Sequence, residues 1–170
     1  VEAPKTNYVL FMIVDEAGGR PDVLATDVVP AALSAGRAGV FDPDALRELP
    51  ADLRERYVMP AGEPFSPRVK IADRVRHAVR FARHDLLSGA GPAGPRRFQV
   101  ISCRNVLIYL QPDAQRRVLG LLGEQLAPGG YLCLGEAEWP PAECEASWEA
   151  VSRKARLFRA RQTGPRQGVK

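Results

Sequence analysis

Four polar positions stand directly behind apolar runs. Asp27 follows Val23-Leu24-Ala25-Thr26, and Asp85 closes Val79-Arg-Phe-Ala-Arg-His84. The pair Arg104-Asn105 follows Val100-Ile101-Ser102-Cys103, and Tyr109 ends the apolar return Val106-Leu107-Ile108. An acid at a strand end can accept hydrogen bonds from both hydroxyls of a ribose. An amide or carboxylate can read a base edge, and further polar groups can hold a charged tail. A cofactor with a ribose, a base and a charged tail would use these residue types. Asp27 has a second, simpler reading, as the cap of a helix over Pro30 to Gly36, and at this level both stand.

These positions need a sheet behind them. Asp22 to Asp27, Val79 to Leu87, Gln99 to Cys103 and Tyr131 to Gly135 read as strands. Pro112 to Leu126 reads as an amphipathic helix, with Ala114, Val118, Leu121, Leu122 and Leu126 on one face and Gln115, Arg116, Glu124 and Gln125 on the other. Pro112 suits its first turn, and Pro128-Gly129-Gly130 is expected to end it with a left-handed cap. Strand, polar strand end, helix, glycine turn, strand is the unit of an open parallel α/β sheet, whose ligands bind at the carboxyl ends of strands.

The remaining elements follow from punctuation. Lys5 to Ala17 reads as a helix stopped by Gly18-Gly19, apolar almost all round and so buried on more than one side. Prolines divide Ala31 to Arg56 into two or three short helices, one of them begun by Asp42-Pro43, with Leu46, Leu49, Leu53 and Tyr57 facing the sheet. Tyr57 to Ala72 scatters Val58, Met59, Phe65, Val69 and Ile71 among prolines, as a small antiparallel excursion would. Gly89 to Pro95 reads as a linker. Glu143 to Lys154 reads as a helix carrying Trp148, Arg156 to Arg161 as a strand near a sheet edge, and 162–170 as a disordered tail.

Composition removes several functions. With 170 residues, 45% apolar and a net charge of +4, one soluble domain is expected. No basic block with interleaved aromatics suggests nucleic acid. Three cysteines without metal-like spacing, and His84 without a second ligand nearby, give no metal site. The odd cysteine count fits a reducing cytoplasm. The apolar run Tyr8 to Val14 is too short to span a bilayer. No Gly-x-Ser-x-Gly turn and no phosphate-cradling lysine loop is present. Cys103 beside Arg104 has the charge of a nucleophile site but the strand position of a buried thiol.

Phe98-Gln-Val-Ile-Ser-Cys-Arg-Asn-Val-Leu-Ile-Tyr-Leu110 closely resembles the "fDvIfCRNvLIYF" signature of CheR-type chemotaxis methyltransferases. Ala25-Thr26-Asp27 with Ala38-Gly39-Val40-Phe41, Val79 to Leu87, and Leu126 to Glu138 resemble three further family stretches in the same order. The resemblance implies a class I, Rossmann-like methyltransferase sheet flanked by helices, over 1–161, with 57–72 as a small β-subdomain. It implies S-adenosylmethionine as cofactor, S-adenosylhomocysteine as product, and glutamate side chains of chemoreceptor cytoplasmic domains as substrate. It also implies a monomeric full-length form with no membrane insertion. By the same resemblance Asp27 would hold the ribose, Asp85 and Leu86 would lie along the adenine, and Arg104-Asn105-Val106 would lie near the methionine and sulfonium. Tyr109, with Arg104, would face the transfer point. The family carries asparagine where this chain has Asp85, which accepts from an adenine amino group but cannot donate to a ring nitrogen. The family's glycine loop, of the type "SAGCATGEEPYSLAM", would end at Glu2-Ala3-Pro4, making Glu2 a cofactor residue. The strand and glycines before that point are expected to precede the present chain, leaving a slot between the Asp22 to Asp27 and Gln99 to Cys103 strands. A degenerate, non-catalytic module of the same family is the alternative.

Overall fold

Tyr8, Phe11 and Met12 recur at helical spacing, and their burial fixes the first helix, α1 (Ala3–Glu16). The computed structural model describes residues 3–62, 67–92 and 94–161. The chain divides into two units, Val1–Asp85 and Leu86–Lys170, each with its own core.

In the first unit, Gly18 takes a positive φ of 74° and ends α1, with Gly18 and Gly19 N–H donating to the Asp15 and Val14 carbonyls. Strand β1 (Val23–Asp27) pairs in parallel with β5 (Val79–Arg83), so Asp27 lies opposite Arg83. Helix α2 (Pro30–Ala38) begins on proline and stops at left-handed Gly39. Between α2 and β5 lies the antiparallel excursion. Here β2 (Val40–Phe41) and β3 (Val58–Pro60) flank β4 (Val69–Ile71), with a 3-10 turn at Pro43–Leu46 and helix α3 (Ala51–Tyr57) in the connection. Phe65 lies outside the described residues. Leu46, Leu49, Tyr57 and Ile71 join Tyr8 and Met12 in the core, as the leucine spacing implied.

Two expectations fail in this unit. Helix α1 is not buried all round: Ile13 is 53% exposed, with Val14 beside it also exposed. The strand expected over Val79 to Leu87 stops at Arg83. A short helix, α4 (Asp73–Ala78), precedes it, and a 3-10 turn (Leu86–Ser88) follows. Asp73 favours that helix start, and its carboxylate pairs with Lys70 and Arg76.

In the second unit, β6 (Phe98–Cys103) pairs in parallel with β7 (Leu126–Leu134) across helix α5 (Pro112–Gln125). Antiparallel β9 (Leu157–Ala160) lies against β7, and β8 (Trp148–Ser152) against β9. Val118, Leu119 and Leu122 of α5 pack with Leu132, Leu134, Trp148 and Phe158.

Three corrections arise here. Glu143 to Lys154 is not a helix but a 3-10 turn (Ala142–Ser147) followed by β8, because Trp148 and Ala150 face inward while Glu149 and Val151 face out. The strand expected near a sheet edge, β9, does lie one strand in from it, between β7 and the edge strand β8. Its polar Arg159 is accommodated by stacking on Tyr131, with ring centroid and guanidinium carbon 4.9 Å apart. Pro128-Gly129-Gly130 does not cap α5. Leu126 is already extended, and left-handed Gly129 sits in a bulge, since Phe98 faces Leu126 but Val100 faces Tyr131. Gln115 and Gln125 are not on a polar outer face. Gln125 is buried, and Gln115 Nε2 donates to the Leu107 and Leu110 carbonyls at 2.9 and 3.0 Å.

Candidate functional site

Parallel pairing aligns the carboxyl ends of β6 and β7, with Cys103 opposite Leu134. Beyond them the chain makes two turns side by side. The first runs through Arg104, Asn105 and Val106 into a 3-10 turn at Leu107–Tyr109. The second runs from Gly135 to Glu138 and closes with Glu138 N–H on the Gly135 carbonyl at 3.0 Å.

One side chain joins the turns. Glu138 is 3% exposed, and its carboxylate accepts four backbone N–H groups. Oε2 takes Asn105 at 2.8 Å and Gly135 at 2.6 Å, and Oε1 takes Val106 at 2.8 Å and Leu107 at 2.7 Å. Four backbone donors thus converge on one side chain, two on each carboxylate oxygen. Asn105 holds a left-handed φ of 57°, a conformation that asparagine tolerates better than most residues. The second turn is braced on its far side. Arg156 Nε donates to the Glu136 carbonyl at 2.7 Å, and its guanidinium lies over the Trp139 ring at 5.3 Å.

The first turn therefore presents side chains and hides its amides. Arg104 and Asn105 are exposed, Val106 is half-buried, and Tyr109 is 80% exposed beside exposed Ile108. Leu107 is the apolar anchor underneath. Cys103 is buried. Burial, then the charge of Glu138, pushes its thiol up to about 12, which removes it as a nucleophile.

Of the other candidates, Asp27 and Asp85 belong to the first unit and Leu86 to the second. Asp27 is half-buried at the end of β1 and helps line a small hollow with Asn7, Ala25, Thr26, Leu33 and Phe81. Asp27 Oδ1 accepts the Val29 N–H at 2.8 Å, so the capping reading is met in part: it forms the turn into α2 without capping the helix, whose N-cap is Val29. Its main-chain carbonyl accepts the His84 N–H at 3.1 Å. Asp85 is exposed just past β5, and Leu86 packs against the core of the second unit. Glu2 lies outside the described residues. Among the described residues no group of three histidine, cysteine or acidic side chains could hold a metal, and no helix is long and apolar enough to cross a membrane.

The structure thus brings Arg104, Asn105, Val106 and Tyr109 onto one turn, and places Asp27 and Asp85 at neighbouring strand ends of the other unit. Sequence reasoning gave Glu138 no role, because its partners are main-chain amides that leave no mark on residue identity. The available signal was a carboxylate three residues past Gly135 at the end of an apolar strand.

The family described as "CheR methyltransferase, SAM binding domain" matches residues 5–154. A protein named chemotaxis protein methyltransferase, from Vibrio anguillarum, is 38% identical over 68% of this chain and 41% of its own length. Its namesake from Listeria monocytogenes is 32% identical over 77% of this chain and 48% of its own. The chain therefore spans less than half the length of these relatives. The solved glycopeptide N-methyltransferase MtfA, complexed with S-adenosylmethionine, aligns over 74% of this chain and 41% of its own with 21% identity and a TM-score of 0.41, too loose to carry an argument about residues. The chain belongs to the CheR methyltransferase family, within that family's S-adenosylmethionine-binding domain.

Proposed function

We propose that this chain forms part of the cofactor and transfer site of a protein-glutamate O-methyltransferase acting on chemoreceptors. The observation that supports it most is the turn held by Glu138, which sets exposed Arg104, Asn105 and Tyr109 at the carboxyl ends of two parallel strands. The donor set fits S-adenosylmethionine. The turn supplies an amide, a guanidinium and a phenol, and the hollow beside Asp27 is lined by a carboxylate suited to ribose hydroxyls. Because the Asn105 and Val106 amides are already bonded to Glu138, the turn meets a cofactor through side chains.

The cofactor supplies an activated methyl group on a sulfonium. The chain's part is orientation: Asp27 on the ribose, Asp85 and Leu86 along the adenine, Arg104, Asn105 and Val106 at the methionine end. Tyr109 faces the acceptor oxygen. A glutamate carboxylate is ionised at neutral pH, so no general base is required. Holding the acceptor in line and excluding water is catalysis by proximity, which is worth up to about 7–11 kcal/mol in well-oriented systems.

The test uses the longest natural reading frame that carries this chain, S-adenosylmethionine labelled in its methyl group, and a chemoreceptor cytoplasmic domain. Incorporated label released by mild base as methanol identifies a carboxyl ester. Base-stable label refutes the glutamate reading. Cofactor binding without transfer favours a non-catalytic module.

A further inference from the structure

Nothing in the chemistry of methyl transfer calls for Glu138, yet it is the most heavily bonded side chain beside the turn. A buried carboxylate costs several kcal/mol to desolvate unless its partners compensate, at about 1.5–3 kcal/mol net for each bond to a charged group. Here four amides compensate it, and three of them belong to consecutive residues, Asn105 to Leu107. Successive N–H groups converging on one anion form a nest. In this nest the anion is the chain's own.

We propose that Glu138 is a positioning residue of the cofactor site: its carboxylate fixes the Arg104–Leu107 turn and so sets Arg104, Asn105 and Tyr109 for binding. Three observations converge. The left-handed φ of Asn105 stores strain that the two flanking Glu138 bonds offset. Gly135 leaves room for the carboxylate, since a Cβ there would stand 2.6 Å from Glu138 Oε2 and 2.8 Å from Asn105 N. The bonds that Asn105, Val106 and Leu107 send to Glu138 come from backbone N–H groups, which any residue type but proline would supply at these positions.

The inference rests on the proposed cofactor reading, so the experiment separates the two. Glu138→Gln keeps the shape of the side chain but turns an NH2 toward two N–H donors. Val118→Ala, a buried residue of α5 that makes no bond to Glu138, serves as a control for lost stability. Each variant and the parent reading frame are titrated with S-adenosylhomocysteine and S-adenosylmethionine at a temperature where all are folded. Amide hydrogen exchange is followed at Asn105, Val106, Leu107 and Gly135. Positioning predicts that E138Q weakens both ligands about equally, by roughly ten-fold or more (about 1.4 kcal/mol), and deprotects the four amides. V118A stays within about two-fold of the parent. Loss of S-adenosylmethionine alone would make Glu138 a charge partner of the sulfonium and overturn positioning. An unchanged Kd for E138Q overturns it too, as does an equal loss in V118A. A parent that binds neither ligand removes the cofactor reading and with it the positioning role, while the amide exchange still shows whether the clamp exists.

Discussion

Gly135 and Gly120 offer the same substitution with opposite signs. At Gly135 an added Cβ would lie 2.5 Å from Asn105 Oδ1, 2.6 Å from Glu138 Oε2 and 2.8 Å from Asn105 N. Oε2 is held in place by two N–H groups. To reach ordinary contact it must retreat by about 0.8 Å, which carries bonds of 2.8 and 2.6 Å to or past the roughly 3.2 Å limit of a normal hydrogen bond. Two bonds to a charged group are worth about 1.5–3 kcal/mol each. A buried methyl returns about 0.8 kcal/mol, and the stiffer unfolded chain about 0.4–1 kcal/mol. The net for Gly135→Ala is a loss of about 1–5 kcal/mol. Gly120 lies in the interior of α5, exposed, with nothing within 4 Å of an added Cβ. There Gly→Ala should gain about 0.5–1 kcal/mol. Both tryptophans, Trp139 and Trp148, are in the second unit, so their fluorescence in urea reports on that unit alone. With a slope of about 1–3 kcal/mol per molar, G135A should lower the midpoint by at least about 0.4 M while G120A raises it. A G135A midpoint within experimental error of the parent would refute the packing of the Glu138 carboxylate against Gly135.

Tyr57→Phe tests the first unit. The Tyr57 hydroxyl lies 2.8 Å from Asp15 Oδ2 and 2.5 Å from Glu16 Oε1, and this contact is the leading cause that holds both carboxyls below their usual range. A depressed folded-state pKa adds stability that is present above the unfolded pKa and lost as pH falls through the folded one. Y57F should therefore lower the urea midpoint, followed by far-UV circular dichroism, clearly at pH 7 and much less at pH 3; an equal loss at both would count against the carboxylate contacts. Tyr109→Ala should leave the fluorescence midpoint within about 0.5 kcal/mol, because the side chain is 80% exposed, while methyl transfer by the full reading frame falls at least ten-fold; unchanged transfer removes Tyr109 from the transfer point. In native protein at pH 7.5, iodoacetamide should label half-buried Cys133 and Cys144 and spare buried Cys103, as mass spectrometry of peptides would show.

The parallel core and its polar ends were legible because they are local signals. An apolar run, an abrupt Arg104-Asn105 and a proline-started helix lie close together in sequence, and the structure places β6, the turn and α5 where those signals point. Several failures are cases in which a residue's partner in the fold decides. Trp148 and Ala150 read as helix until β9 supplies a strand to pair with. Gly129 reads as a helix cap until Val100 pairs with Tyr131 and makes it a bulge. Gln115 looks like a surface residue, but the carbonyls that receive it belong to the turn before α5. Asp27 was ambiguous for a different reason: one carboxylate can serve both a turn and a ligand, and Val29 occupies only Oδ1 in the described contacts.

The inward nest also bears on which charges the turn offers. Exposed amides after a parallel strand draw anions, which is how glycine-rich loops hold phosphates. Such a surface would repel a sulfonium. Here the amides of Asn105, Val106 and Leu107 all point to Glu138, so the positive ends of these peptide dipoles are spent inside the protein. The cation the turn still shows is Arg104, whose guanidinium has a long reach and no ion pair among the described residues. The cationic group this turn offers is thus a side chain and not a fixed backbone site. On the proposed reading, Arg104 could meet a carboxylate, the cofactor's own or an acceptor glutamate's, at a distance from the sulfonium. A backbone nest could not separate the two charges in this way, because its position is set by the strand end itself.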